Sequence, residues 1–486
     1  MNTRVKFSLF AMLTVFTLVL SACNNNDDEN FSSKKIDTGL SVDEISNEAF
    51  KEKFPLHYES YMKNNDDTTE TKYGGSVPTS KFHENKEPYL PILFNNFGFA
   101  QEYNEERGHT YANIDIKKIA RITEKSPGAC LTCKSTAVPK LIETMGVKYY
   151  SANFLKEVLP KAEEMGHSPV GCSDCHNPKT MELRITREPF VKAMKEVGVD
   201  VSKASKNDMR SYVCAQCHVE YYFKSDTKEV TFPWDKGFKQ QDMYDYYEEQ
   251  RKNGKFVKDF DHSISGAPIL KAQHPEFENS QQGIHAKNGV SCSDCHMPYK
   301  RVDGKKMSSH NTFSPLLNEN TIEDACRTCH SDQNVKEIKD HVYEIQDTHM
   351  EGLHFAQDVS VKAHYYVNKM ITSKVPEDRI KEAQEAVRKG QWFWDIVAAE
   401  NSAGFHNPQG GMNSLRISTN ESNKAIQLAT VELVKKGVDI NELNDEIRKV
   451  MKAVADEKDL KKKHTKAINS YFPKVVQEVQ PAQPAK

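Results

Sequence analysis

Apolar side chains are scarce in this sequence. They make up 37% of its 486 residues, a low share for a chain long enough to form two or three ordinary domains. Either much of the chain is exposed, or something other than side chains fills its interior. A surplus of one charge is also lacking: 66 Lys and Arg stand against 69 Asp and Glu, a formal net charge of -3. That balance gives no reason to expect a nucleic acid partner. No nicotinamide or flavin site is visible, so electrons for any redox reaction must come from outside. Only one stretch is strongly apolar, the 14 residues from Phe7 to Leu20. It is short for a bilayer span, and no other segment is apolar enough to cross a membrane.

That run reads as an export signal. Arg4 and Lys6 precede it, and Leu20-Ser21-Ala22-Cys23 closes it with small residues before a cysteine. The pattern predicts a lipoprotein signal peptide over residues 1–22 and lipid on Cys23. The protein is then exported to the periplasmic side and anchored to a membrane without spanning it. An ordinary signal peptide with an incidental cysteine is the alternative. The polar residues 23–40 read as a flexible tether.

Spare cysteine is missing too. Besides Cys23, the ten cysteines fall into five CxxC pairs, Cys130/Cys133, Cys172/Cys175, Cys214/Cys217, Cys292/Cys295 and Cys326/Cys329, which leaves none for a structural disulfide. In an exported chain, something else must consume them. Four pairs run directly into His176, His218, His296 and His330. CxxCH is the attachment signature of c-type haem: two thiols bond the two vinyl groups, and the adjacent imidazole reaches the iron from the same side. Zinc binding is the alternative, but it does not call for histidine at the same place each time. The fifth pair reads "CLTCK", with Lys134 in the ligand position. A deprotonated amine can bind iron, and a neighbouring metal cation lowers the lysine pKa. A decayed motif is the bland reading. The 18 histidines are ample for four bis-histidine haems. A lysine-ligated fifth haem could keep its other face open, as catalytic metal centres do. Five haems would also account for the scarcity of apolar residues.

The combination of one CxxCK and four CxxCH with "RGH" (107–109), "CHVEYYF" (217–223), "LKAQHPE" (270–276) and "GIHAKNGVSCSDCH" (283–296) resembles the pentahaem cytochrome c nitrite reductases, the ammonia-forming NrfA family. The similarity runs from about residue 54 to about residue 406. It implies five covalently bound haem c groups, with Lys134 as proximal ligand of the catalytic haem and Arg121, Tyr221 and His274 lining its open side. It implies His109 as distal partner of His218, His310 of His176, His285 of His330 and His406 of His296. It also implies Ca2+ beside the active haem, held by the side chains of Glu220 and Gln273 and the main-chain carbonyls of Tyr221 and Lys271. An all-oxygen set of this kind suits Ca2+. Two departures stand out: Leu131 replaces the tryptophan of many members, and the segment between Arg121 and Cys130 is shorter than in the best-known ones.

The expected fold is mainly α: a loop-rich, haem-packed catalytic body over 41–330, then long helices over 331–470 that serve packing and dimerisation, then a disordered tail over 471–486. Val335, Ile338, Val342, Ile345 and His349 follow steps of three and four, a helix with one buried stripe. Residues 375–400 start at Pro376 with acidic residues in the first turn, and 422–437 end on Lys435, Lys436 and Gly437, as helices do.

The expected activity is reduction of nitrite to ammonium at the lysine-ligated haem, fed by four bis-histidine haems. Hydroxylamine, nitric oxide or sulfite could be the main substrate of the same pocket, and a non-enzymatic multihaem electron carrier is the reading from a different class. The resemblance implies a homodimer and a membrane-bound multihaem quinol dehydrogenase as electron donor.

Overall fold

The computed structural model describes residues 36–476, apart from 67–68, 79, 83–85, 106, 460–461, 464–465 and 468–471. The signal peptide 1–22, Cys23 with its proposed lipid, the first part of the tether and residues 477–486 therefore lie outside the described residues.

The chain changes character at Asn334. Before it, helices are short and irregular segments long. The only sheets among the described residues are three two-stranded antiparallel ribbons, the longest pairing Tyr299–Val302 with Lys305–Ser308. After it come four long helices: α1 Val335–Thr372, α2 Glu377–Ala398, α3 Pro408–Lys435 and α4 Ile440–Ala455. Asn334 and Glu337 close a capping box at the start of α1. Ile338, Val342 and His349 of the expected stripe are buried. Pro376 caps α2, with Glu377 and Asp378 in its first turn. From Gly390 onward α2 is buried on every side, because α1 and α3 both pack against it.

Two helix boundaries differ from the sequence expectation. α3 begins at Pro408, not near Ser422, because Asn407 accepts from the Gly410 amide and Pro408 suits the first turn. Gly410 and Gly411 hid that start. α4 falls within the helical stretch expected over 331–470 but was not singled out there, although Asp439 caps it and Leu443, Ile447, Val450 and Val454 form its buried stripe.

Two segments expected to be flexible make contacts where they are described. Thr38, at the end of the expected tether 23–40, donates its amide to the Lys179 carbonyl at 3.0 Å and its hydroxyl to the Pro178 carbonyl at 2.6 Å. In the expected tail 471–486, Phe472 packs on Tyr365 with ring centres 4.4 Å apart. Nearby, Asn368 donates to the Pro473 carbonyl at 2.7 Å and the Val475 amide to the Ser263 carbonyl at 2.8 Å. One buried aromatic ring and two backbone partners outweigh the polar, proline-containing composition. Aromatic contacts join the helical layer to the body: Trp394 of α2 lies 5.6 Å from Phe94 and Trp392 lies 5.3 Å from Tyr247, measured between ring centres.

Candidate functional site

Each CxxC pair occupies one helical turn. Cys172–Cys175 and Cys292–His296 are short helices, Cys214 ends the helix Lys206–Ala215, and Cys326 follows Glu319–Ala325. Positions i and i+3 share a face on such a turn, so both sulfurs point the same way. The amides of His176, His218 and His330 donate to the carbonyl of the first cysteine at 2.9, 3.0 and 2.9 Å, which winds each histidine back towards its own sulfurs. The "CLTCK" turn is tighter. Gly128–Leu131 is a 3-10 helix, and the Lys134 amide donates to Leu131 at 2.8 Å. Gly128 is required there, because a Cβ would sit 2.1 Å from the Tyr149 carbonyl oxygen.

All ten cysteines line one continuous cavity of about 3550 Å3. Pockets for single drug-sized ligands hold about 300–1,000 Å3, so this one has room for several large groups. Burial pushes the thiols of Cys130, Cys172, Cys175 and Cys295 up to about 12. Such surroundings favour neutral sulfur, as in a thioether, and disfavour the thiolate that a zinc site uses.

The histidines give a second test of fit. An atom held between two imidazoles by metal–nitrogen bonds of about 2 Å, with each nitrogen about 1.1 Å from its ring centre, sets the ring centres about 6.2 Å apart. The ring centres of His109 and His218 are 6.3 Å apart, those of His176 and His310 6.3 Å, those of His296 and His406 6.3 Å, and those of His285 and His330 6.4 Å. These four pairs join distant segments at one shared spacing. Burial lowers the pKa of His296 and His310 to about 4, which keeps their imidazoles neutral, the state that ligates metals. His176 donates Nδ1–H to the Met181 carbonyl at 2.8 Å and His310 to the Ser308 carbonyl at 2.9 Å. Each thereby presents Nε2 to the cavity. The residues fit four haems held by paired imidazoles.

Neighbouring cysteines set the order of these sites. Cys133 lies close to Cys217, and Cys214 to Cys292. Cys326 is near enough to Cys295 to push its thiol up, and Cys175 does the same to Cys214. The lysine site therefore adjoins the His218 site, which adjoins both the His176 and His296 sites. The His330 site lies beyond the His296 site, at an end where Cys329 is exposed.

Arg121, Tyr221, His274 and Lys134 share the cavity wall. Arg121 packs its guanidinium over the Phe99 ring at 4.4 Å and donates to the Glu102 carbonyl at 3.3 Å. From there it lowers the Cys130 thiol and the Tyr221 phenol, although burial leaves both raised. Leu131 is fully buried in the apolar core behind this turn.

The expected calcium ligands converge beside this wall. The fully buried Glu220 carboxylate accepts the Tyr247 hydroxyl at 2.8 Å and the Gln273 amide at 2.5 Å. The Gln273 side-chain Nε2 donates to the Lys271 carbonyl oxygen at 3.2 Å, which puts the amide beside that carbonyl. Burial pushes the Glu220 pKa well up, so a cation is the natural partner for its charge. A cluster of carboxylate, amide and carbonyl oxygens suits Ca2+. The structure thus brings Glu220, Gln273 and Lys271 together, next in sequence to Tyr221 and His274.

Two residues that sequence reasoning missed hold these segments. The Lys271 ammonium, wholly buried, bonds Asp395 of α2 at 2.9 Å, and Asp395 also accepts the Ala272 amide at 2.8 Å. Glu400, 5% exposed, accepts His406 Nδ1–H at 2.6 Å. No sequence signal marks Asp395. Glu400 stands close before "GFH" in the chain, which is the one cue it offers.

The description of the cytochrome c552 family matches residues 46–485. The chain belongs to the cytochrome c552 family. Over 422 residues it is 42% identical to cytochrome c nitrite reductase subunit NrfA of Nitratidesulfovibrio vulgaris, covering 81% of this chain and 80% of that one. It is 37% identical over 440 residues to cytochrome c-552 of Parabacteroides distasonis, covering 87% and 85%. The solved structure of the catalytic subunit NrfA of Desulfovibrio desulfuricans cytochrome c nitrite reductase superposes with a TM-score of 0.76 at 39% identity, covering 84% of this chain and 91% of that one. That structure is described as having two calcium sites. The mainly helical, multihaem cytochrome fold expected from the sequence is therefore the fold of this family.

Proposed function

We propose that this chain is an ammonia-forming cytochrome c nitrite reductase, which carries nitrite through six electrons to ammonium at a haem ligated by Lys134. The observation that carries the proposal is a contrast within one cavity: four cysteine pairs face paired imidazoles, and the fifth ends in Lys134 on a wall shared with Arg121, Tyr221 and His274. Likeness to the two nitrite reductases supports the substrate. A haem held there by Cys130, Cys133 and Lys134 would bind the substrate and pass on electrons that an outside donor supplies.

The chain's own groups then divide the remaining work. Arg121 offers a fixed positive charge and hydrogen bonds to an anion. His274 and Tyr221 then hand protons to the oxygens that leave as water. Ca2+ on Glu220, Gln273 and the carbonyls of Tyr221 and Lys271 would lock the two segments that carry Tyr221 and His274 into register.

The finer expectations are part of the same proposal. His109, His285, His310 and His406 act as distal ligands, which their ring spacings support. Apolar surface at Phe355 of α1 and at Met412, Val431 and Val434 of α3 supports a homodimer built on the long helices. The apolar run ending at Cys23 supports export to the periplasmic side with a lipid anchor, and the resemblance to the pentahaem nitrite reductases supports a membrane-bound multihaem quinol dehydrogenase as donor. The deciding experiment gives purified, haem-loaded protein a reduced dye and nitrite and quantifies ammonium. Stoichiometric ammonium is expected. Haem oxidation without ammonium would reject the reaction, and no oxidation at all would leave an electron carrier.

A further inference from the structure

Among the partners that the structure gives to the paired imidazoles, one is unlike the rest. His176 and His310 donate to neutral main-chain carbonyls, and His109 meets the Thr312 hydroxyl at 3.4 Å. His406 instead donates to a carboxylate, Glu400, at 2.6 Å. That carboxylate is buried and held in place: it accepts the Ser402 amide at 3.1 Å and the Ser402 hydroxyl at 2.6 Å. The Ser402 hydroxyl oxygen in turn accepts the His406 amide at 2.9 Å. The loop from Glu400 to His406 is thus folded around a single negative charge placed behind one axial imidazole. A further close approach fixes it, since a Cβ on Gly283 would meet the His406 carbonyl oxygen at 2.1 Å.

We propose that Glu400 is a positioning and tuning residue that holds the haem of His296 and His406 at a lower reduction potential than its bis-histidine neighbours. This rests on the reading of His296 and His406 as axial ligands. Reduction adds one electron to the iron, and a fixed negative charge behind the ligand opposes it. A carboxylate that takes the Nδ1 proton also makes the imidazole a stronger donor, which favours the ferric state. Burial leaves the effect unscreened by salt. Position makes it matter: this site lies between the His218 site and the exposed Cys326/Cys329 end. A low-potential station there forms a thermodynamic step, so electrons settle on one side of it or the other.

The test is a potentiometric titration of haem-loaded protein followed by its low-spin haem signals, for the wild type, Glu400→Gln and Glu400→Asp. Glutamine keeps an acceptor but removes the charge. One haem is expected to move to higher potential in Glu400→Gln while the others stay, with Glu400→Asp moving it less. Five bound haems with every potential unchanged in Glu400→Gln would overturn the proposal. If Glu400→Gln fails to retain haem, Glu400→Asp decides: its longer contact must raise the same potential, and no shift overturns the inference. A His406→Ala variant separates the two levels of the argument. Loss of one bis-imidazole signal supports the ligand assignment, and retention of all of them overturns that assignment and the tuning with it.

Discussion

Replacing Asp395 with alanine removes the carboxylate bonded to the fully buried Lys271 ammonium. Lys271 Nζ sits 2.9 Å from Asp395, 3.4 Å from the Tyr103 hydroxyl and against the Ala272 carbonyl. The rings of Phe94, Phe99 and Tyr103 surround it at 5.1, 5.0 and 4.9 Å. Without Asp395 the ammonium has those rings and two neutral oxygens, and the Ala272 amide loses its acceptor. Stranding one partner of a buried ion pair costs about 3–5 kcal/mol, more than the roughly 0.5–2 kcal/mol of a cation–π contact. Burial pushes the Lys271 pKa down, and Asp395 and Tyr103 now more than reverse that. Once Asp395 is gone the lysine binds its proton less well folded than unfolded, so the penalty shrinks as pH rises. The assay is thermal unfolding of haem-loaded protein across pH, with ammonium production measured alongside. Asp395→Ala should unfold several degrees early and lose turnover, because the segment that Asp395 holds through Lys271 and Ala272 also carries Gln273 and His274. Asp395→Leu combined with Lys271→Met should recover most of the stability, since a packed apolar pair replaces a buried ion pair at little cost. A single variant that unfolds within a degree of wild type with full turnover would refute the reasoning.

His274→Ala should lower ammonium turnover by about 10^2–10^4-fold, the usual range for a proton donor, with haem content by absorbance nearly unchanged; unchanged turnover removes its role. Gly128→Ala should drive a Cβ into the Tyr149 carbonyl and reduce the haem count by one, the "CLTCK" group, as read by mass of the purified chain; a full complement would show that the turn relaxes. His262 and His364 stack with ring centres 3.7 Å apart, and burial holds the first well below the ordinary range and the second to about 4. The unfolded chain takes up those protons first, so stability should fall as pH drops from about 6.5 towards 4, by about 3 kcal/mol for His364 alone. His364→Asn should flatten that acid slope, and an unaltered slope would place the sensitivity elsewhere.

The haem attachment points were legible because they are local: both sulfurs and the proximal ligand lie within five consecutive residues, and the chemistry fixes their spacing. The distal ligands were not legible in this way. His310 and His406 lie far along the chain from His176 and His296, and nothing in their short surroundings gives a partner. Only likeness to a family put them forward, and the ring spacings now give them a geometric basis. The long helices announced themselves by periodicity at Ile338 and Val342 and by the acidic first turn after Pro376, whereas the start of α3 was masked by Gly410 and Gly411. Asp395 and Lys271 meet across the molecule, and each alone reads as an ordinary surface charge. Buried charges of this kind, like Glu400 and Glu220, are set by tertiary contacts that leave no periodic trace.

The paired imidazoles bear on how the chain holds together. Each iron bound on both sides would tie a histidine next to its cysteines to one distant in sequence, His176 to His310, His218 to His109 and His296 to His406. These are cross-links, closing loops of about a hundred residues, for which a disulfide would contribute roughly 4–5 kcal/mol. An exported chain with no cysteine to spare for disulfides would thus gain equivalent staples from its cofactors. Maturation and folding then become one event: until the groups are attached, the walls of the cavity have nothing to close upon, and the loss of one staple loosens its neighbours as well.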